Sequence, residues 1–295
     1  MPSFQPPEFE QRSIPTTLGT MVYYTPRVQA IPGETPAPPL VFLHSFGGGA
    51  SAYEWSKVYP AFAETHPVFA PDLIGWGESA HPVRDYQVQD YLTTLAEFIQ
   101  QVTEVPVAIA ASSLTGALAI RLAIQRPDLF HSLFLVCPSG FADFGQDAGR
   151  RLPLQLINAP YLSSLIYTLG ATNAFAVRNF LERFLFVHPE RVTEEMVAAY
   201  LASAQQVNAE YAALAFLRGD LYFDLARYLE QLTVPTTMLW GEEAQFTNVR
   251  LGRRLANLNP KAIGRFEALP DLGVLPHLEQ PVIVINALKS HLTRS

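Results

Sequence analysis

The sequence predicts an α/β fold: a mostly parallel, twisted sheet with helices on both faces and an inserted helical cap. Strand-length apolar runs alternate with helix-length stretches through about the first 140 residues. The alternation stops between about Phe141 and Leu225, where the pattern is helical without strands, and then resumes to the C-terminus. Alternating strands and helices are joined by crossovers, and crossovers make parallel sheets covered on both faces. The reading is one α/β core, 1–140 and 226–295, interrupted by a cap, 141–225.

"FEQRSIPT" and "GTMVYYTPR" read as an opening hairpin. "PPLVFLHS" (38–45) is a nearly continuous apolar run ending in a glycine cluster, as expected of a strand buried on both faces. An amphipathic stretch runs from about Tyr53 to Thr65, followed by the strand "PVFAPD" (67–72). Residues 87–102 place Tyr91, Leu92, Leu95, Phe98 and Ile99 on one helical face. The strand "VPVAIAAS" (105–112) turns directly into a helix that stops at Pro127, and "LFLVCPS" (133–139) is the next strand. In the cap, Thr193 before Glu194 and Glu195 is a helix N-terminus. The core resumes with a strand at 234–241, a helix near 247–258, a strand near 262–269 and a last helix from Pro276.

A chain of 295 residues, 49% hydrophobic and 16% charged, can bury one large core. Its net charge of -7 gives no basic footprint for nucleic acid. One cysteine, Cys137, permits no internal disulfide and offers no cysteine framework for a metal, which fits a reducing compartment. The N-terminus lacks a basic region followed by an apolar run, so no signal peptide is evident and a cytoplasmic location is expected. Leu152 to Val177 carries no charged residue, but Pro153, Gln155, Asn158, Pro160 and Asn173 argue against a spanning helix. The stretch suits a cap that lines a lipophilic pocket, packs on the core or touches a membrane surface.

In "AIAASSLTGALAI" (108–120) a buried strand runs into Ser113 and a helix starts at once. A nucleophile elbow needs this context: a strained turn exposes a serine oxygen, with small residues where strand and helix approach. A tight turn that merely accommodates a serine has the same spacing. "FLHSFGGG" (42–49) ends a strand in a glycine-rich loop, which could supply one of two backbone N–H donors to an anionic oxygen. Those donors would be Phe46 and Leu114. A phosphate loop is disfavoured because no GxxxxGK[ST] sequence occurs.

The order of "HSFGGG", "DLIGWGES" (72–79), "ASSLTG" (111–116), "WGEEAQF" (240–246) and "GVLPHLEQP" (273–281) resembles the α/β-hydrolase superfamily. It is most similar to the capped group of carbon–carbon bond hydrolases, esterases, epoxide hydrolases and chlorophyll-related hydrolases. The resemblance implies a Ser–His–acid unit with the acid in a stretch like "WGxxD" and the histidine after "G". Here Ser113 remains, while Ala244 falls at the acid position and Val274 at the histidine position. Losing the serine or histidine of such a triad costs on the order of a millionfold in turnover, or about 8 kcal/mol of barrier. His277 is the replacement base to consider, although relatives often carry a histidine there as well. Glu243 neighbours Ala244, and Asp143 follows the sixth strand, where the resemblance places the acid of some relatives; neither helps without a histidine to orient, and His44 is expected to be structural.

The expectation is an α/β-hydrolase-fold protein with a degenerate triad that binds a small lipophilic ligand without hydrolysing it. Tyr161, Tyr167, Phe175 and Phe180 are the candidate lining residues from the cap. No cofactor or metal is expected, and the cap could present a surface to a protein partner. The alternatives are an atypical serine hydrolase or lyase with a non-standard base, and an assembly protein with a vestigial pocket.

Overall fold

A computed structural model describes residues 4–28, 37–145 and 167–294. Its strands are β1 (Phe9–Thr16), β2 (Gly19–Pro26), β3 (Leu40–Leu43), β4 (Val68–Pro71), β5 (Val107–Ser112), β6 (Phe130–Val136), β7 (Thr236–Gly241) and β8 (Ile263–Leu269). They form one sheet in the order β1-β2-β4-β3-β5-β6-β7-β8. The β1–β2 and β2–β4 pairs are antiparallel, and the remaining pairs are parallel. β3, β5 and β7 are buried at every position, as their unbroken apolar runs require, whereas β1 and β8 expose residues at the two edges.

Helix α1 (Val88–Val102) buries Tyr91, Leu92, Leu95, Phe98 and Ile99, the face its spacing predicts. The Asp90 carboxylate starts it by accepting from the Gln87 N–H at 2.8 Å. The amphipathic stretch after β3 is two single 3₁₀ turns, Ala52–Trp55 and Tyr59–Phe62, with Pro60 in the first turn of the second. β6 begins three residues earlier than its apolar run suggests and ends at Val136, because Cys137 turns the chain with φ +46°. The C-terminal helix is likewise split. A four-residue turn ends at Glu279, and Pro281, which donates no N–H, begins the main helix Pro281–Leu292.

Between β6 and β7 the described residues are helical, as an inserted cap requires. Helix α3 (Ala174–Phe180) continues into a π-helical segment, Leu181–Leu185. Helix α4 (Glu194–Ala204) is capped by the Thr193 hydroxyl, which accepts from the Met196 N–H at 3.2 Å. Such a cap contributes about 1 kcal/mol. Helix α5 (Ala209–Arg218) ends at Gly219, whose φ of +83° suits a residue without Cβ. At the base of the insertion Phe141 bridges Phe223, and the Phe223 N–H donates to the Gly140 carbonyl at 2.9 Å.

Candidate functional site

β5 ends at Ser112, and helix α2 (Ser113–Gln125) begins on the next residue. The junction leaves Ser113 at φ +55°, a left-handed conformation that costs energy for any residue with a Cβ. Two neighbours explain how the turn is held. Gly116 faces Pro138 so closely that an added Cβ would lie 3.1 Å from the proline ring. Thr115, larger than the glycine usual there, turns its hydroxyl onto the carbonyls of Ser112 (2.7 Å) and His44 (2.8 Å). Elbow and glycine-rich loop are thereby tied together.

Ser113 lies on the wall of a cavity of about 370 Å³, within the range of small-molecule sites. Its floor includes Ser45, Phe46 and Val274 from the core, and its roof includes Tyr167, Phe180 and Tyr200 from the cap. None of the described lining residues is a histidine or carries a charge. The triple glycine seats this roof. A Cβ on Gly49, at φ +92°, would lie 2.3 Å from the Tyr200 carbonyl oxygen, and one on Gly48 would lie 2.9 Å from the Ala171 methyl group. The backbone N–H groups of Phe46 and Leu114 make no hydrogen bond among the described residues; Phe46 lines the cavity, whereas Leu114 is buried behind Ser113 and is not part of its lining.

The loop after β7 and the loop before residue 276 are one unit. Gly241 packs so tightly on Gly273 that a Cβ would meet its carbonyl at 1.9 Å, and the Glu243 N–H donates to the Leu272 carbonyl at 3.1 Å. Val274 follows this unit onto the wall of the cavity that Ser113 also lines, whereas Ala244 is buried in the adjacent turn, off the wall. Glu243 is exposed.

His277 does not reach the cavity wall. It is fully buried and stacked on Trp55, ring centroids 3.9 Å apart, and neither ring nitrogen has a hydrogen-bond partner. A base for Ser113 must lie within hydrogen-bond reach of it or one water away. His277 faces Glu54 instead, at 3.9 Å. Burial pushes its imidazole below the ordinary histidine value. Asp143 is also committed elsewhere: it accepts from the Ser139 hydroxyl at 2.6 Å and from the Leu225 N–H at 2.9 Å, closing the base of the cap. His44 is structural, its Nδ1 on the Ser45 carbonyl at 2.7 Å and its Nε2 accepting from the Leu73 N–H at 3.0 Å.

Of the cap aromatics, Tyr167 and Phe180 line the cavity. Phe175 does not: it is 81% exposed on the outer face of α3, and this corrects the expectation. Apolar character alone does not say which side of a seven-residue helix meets the core. Tyr161 lies outside the described residues. Phe184, Phe216 and Phe246 also line the cavity, although the sequence did not single them out.

Glu54 was missed as well. It is fully buried one shell behind the cavity. Its Oε1 accepts from the Ser45 hydroxyl (2.8 Å) and the Tyr200 hydroxyl (2.8 Å), and its Oε2 accepts from the Ser45 N–H (2.7 Å). Burial pushes this carboxyl up, yet His277, His44 and the Ser45 N–H outweigh it and hold the group below the usual glutamate value. At 3.9 Å the His277 contact is too long for a hydrogen bond, so the short donors carry most of that effect. A lone glutamate in the apolar stretch "SAYEW" was the available signal.

Among the described residues no cluster of three or more His, Cys, Asp or Glu could hold a metal. No helix among them is long and apolar enough to cross a membrane.

A serine held left-handed at a strand-to-helix elbow, under an inserted cap, defines a class: capped α/β proteins built on the nucleophile-elbow architecture. The chain belongs to the Alpha/beta hydrolase family, whose model matches residues 40–287. It is similar to the uncharacterized hydrolase YugF of Bacillus subtilis (strain 168), with 25% identity over 255 residues, 83% of this chain and 86% of that one. It is also similar to the 2-hydroxy-6-oxo-6-(2'-aminophenyl)hexa-2,4-dienoic acid hydrolase of Metapseudomonas resinovorans, with 23% identity over 264 residues, 87% of this chain and 84% of that one. Among solved structures, the serine hydrolase CarC of carbazole degradation superposes with a TM-score of 0.76 at 18% identity, covering 97% of this chain and 100% of that one. The carboxylesterase CesB of Bacillus subtilis gives 0.74 at 17% identity, covering 99% and 94%. These two superpositions establish the shared fold.

Proposed function

We propose that this protein uses its α/β-hydrolase fold to bind a small lipophilic ligand and does not hydrolyse it. The observation that carries the reading is the composition of the cavity wall. Ser113 shares it with Val274, and no described lining residue can take the serine proton. Ala244 at the acid position and Val274 at the histidine position make the triad degenerate. The surroundings of the oxyanion loop point the same way. The buried Glu54 carboxylate sits 2.7 Å from the Ser45 N–H, one residue before Phe46, where negative charge opposes a developing oxyanion. A cavity of about 370 Å³ walled by aromatic and aliphatic side chains suits an apolar guest.

The strained φ of Ser113 supports a second reading, an atypical serine enzyme, because such strain is otherwise a cost without a use. One experiment separates the two: hydrolysis of a panel of activated esters by wild type, Ser113→Ala and the double variant Ala244→Asp/Val274→His. The binding reading expects a silent wild type and a gain of activity in the double variant that disappears when Ser113→Ala is added. Wild-type turnover abolished by Ser113→Ala would overturn it.

A further inference from the structure

Four hydroxyl-bearing side chains, Ser45, Ser113, Tyr167 and Tyr200, line the cavity, and they are not equivalent; Tyr167 donates to the Ala204 carbonyl at 2.8 Å. Each hydroxyl has one proton to donate. The protons of Ser45 and Tyr200 both go to Oε1 of Glu54, at 2.8 Å each. An ionised carboxylate is acceptor-only, so it fixes the direction of both bonds. Rotating either hydroxyl toward a ligand would leave a buried carboxylate under-satisfied, at a cost of about 1–3 kcal/mol. Ser45 and Tyr200, both on the cavity wall, therefore have hydroxyl lone pairs but no proton left for a guest. The Ser113 hydroxyl makes no hydrogen bond among the described residues and keeps its proton for a guest, as does the N–H group of Phe46.

We propose that the Ser45–Tyr200 wall is an acceptor site, which favours a neutral lipophilic molecule whose head carries an O–H or N–H donor over a matched molecule whose head can only accept from Ser113. The inference rests on the ligand-binding reading above and adds the polarity of the guest's head. Glu54 acts as a positioning residue, setting the direction of two hydrogen bonds from behind the wall without touching the guest. Its charge also disfavours an anionic head at this wall, since the low-dielectric surroundings screen it little. Tyr200 belongs to the cap and Ser45 to the core, so the same carboxylate joins the two parts of the chain around the head group. The site is thus built by the closure of the cap onto the oxyanion loop.

The test is a matched set of probes titrated by calorimetry into wild type, Glu54→Gln and Tyr200→Phe: 4-hexylphenol, its methyl ether 4-hexylanisole, hexylbenzene and 4-hexylbenzoate. Wild type is expected to bind the phenol roughly tenfold tighter than the anisole, whose oxygen can accept but not donate, and the anionic benzoate more weakly than the phenol. In Glu54→Gln the carboxamide can donate as well as accept, which frees the hydroxyl protons, and the phenol-to-anisole ratio is expected to fall below about threefold. Tyr200→Phe removes one acceptor while preserving the ring, narrows the same ratio, and serves if the buried Gln variant does not fold. A loss of stability alone would weaken all four probes together and leave the ratio unchanged. Equal wild-type affinity for phenol and anisole overturns the acceptor-site inference while leaving ligand binding intact. Failure of every probe to bind wild type overturns both.

Discussion

The imidazole of His277 lies flat on the indole of Trp55, 15° from parallel with ring centroids 3.9 Å apart. The stack fills space between the first 3₁₀ turn and the turn after residue 275, and it aims neither ring nitrogen at the cavity. This argues that His277 is there for packing. His277→Ala leaves a cavity against Trp55 and is expected to cost roughly 2–4 kcal/mol in urea unfolding. His277→Phe keeps the stacked ring and removes two buried polar atoms without partners, so it should cost distinctly less. If Phe is as damaging as Ala, the electrostatic contact with Glu54 matters more than the ring.

His188 provides a pH-dependent contact between cap and core. Its Nε2 meets Asp271 at 2.7 Å and its Nδ1 meets Glu190 at 3.0 Å. The Asp271 hydrogen bond, joined by that of Glu190, outweighs burial and raises the imidazole above its ordinary value, while both carboxyls are lowered. A histidine whose native pKa exceeds its unfolded one stabilises fully below the unfolded value, about 6.5, and loses that contribution as pH rises through the native one. Wild type should therefore exceed His188→Gln in Tm at pH 5.5, with the difference shrinking toward pH 8.5. A constant or growing difference over that range would mean the ion pairs are not what His188 contributes. All three groups are solvent-accessible, so added salt should narrow the gap at pH 5.5.

The contrast between Ser113 and Glu54 shows what was legible in the sequence. β5, the elbow and α2 followed from a local rule, a buried apolar run meeting a small-residue turn, and the strain at Ser113 accompanies that motif. Val274 could be placed near Ser113 through motif order, because parallel strands bring the loops at their C-terminal ends together. Glu54 reaches Ser45 nine residues back and Tyr200 in the cap, a pairing that no local spacing encodes. The side of α3 that carries Phe175 was overlooked rather than hidden: Arg178 and Asn179 follow it by three and four residues and mark its face as the polar one. The stretch from Tyr53 to Thr65 falls on two 3₁₀ turns, Ala52–Trp55 and Tyr59–Phe62, that end three residues short of it, because apolar period alone does not separate two tight turns from one helix.

Glu279 is a second residue, besides His188, through which the cap and the Val274 loop depend on each other. Its carboxylate is completely buried and accepts from Arg191 at 3.0 Å, from the N–H groups of Val187 (3.0 Å) and His188 (3.2 Å) in the cap, and from the Gly273 N–H (3.0 Å). Four donors converge on one group, so removing it orphans three N–H groups and leaves the Arg191 guanidinium without this partner. Breaking a buried pair in this way typically costs about 3–5 kcal/mol. Glu279→Ala is expected to lose that much in urea unfolding, and Glu279→Gln less, because its carbonyl oxygen can still accept. The loss should not be uniform. The freed backbone lies in residues 187–191 and at Gly273, so limited proteolysis should cut Glu279→Ala first near 187–191 while the parallel strands stay intact. Ligand affinity should fall with it, since Val274 follows Gly273 directly onto the cavity wall. Unchanged cleavage at 187–191 in a destabilised Glu279→Ala would show that Glu279 supports the C-terminal turn alone and does not couple the cap to the site.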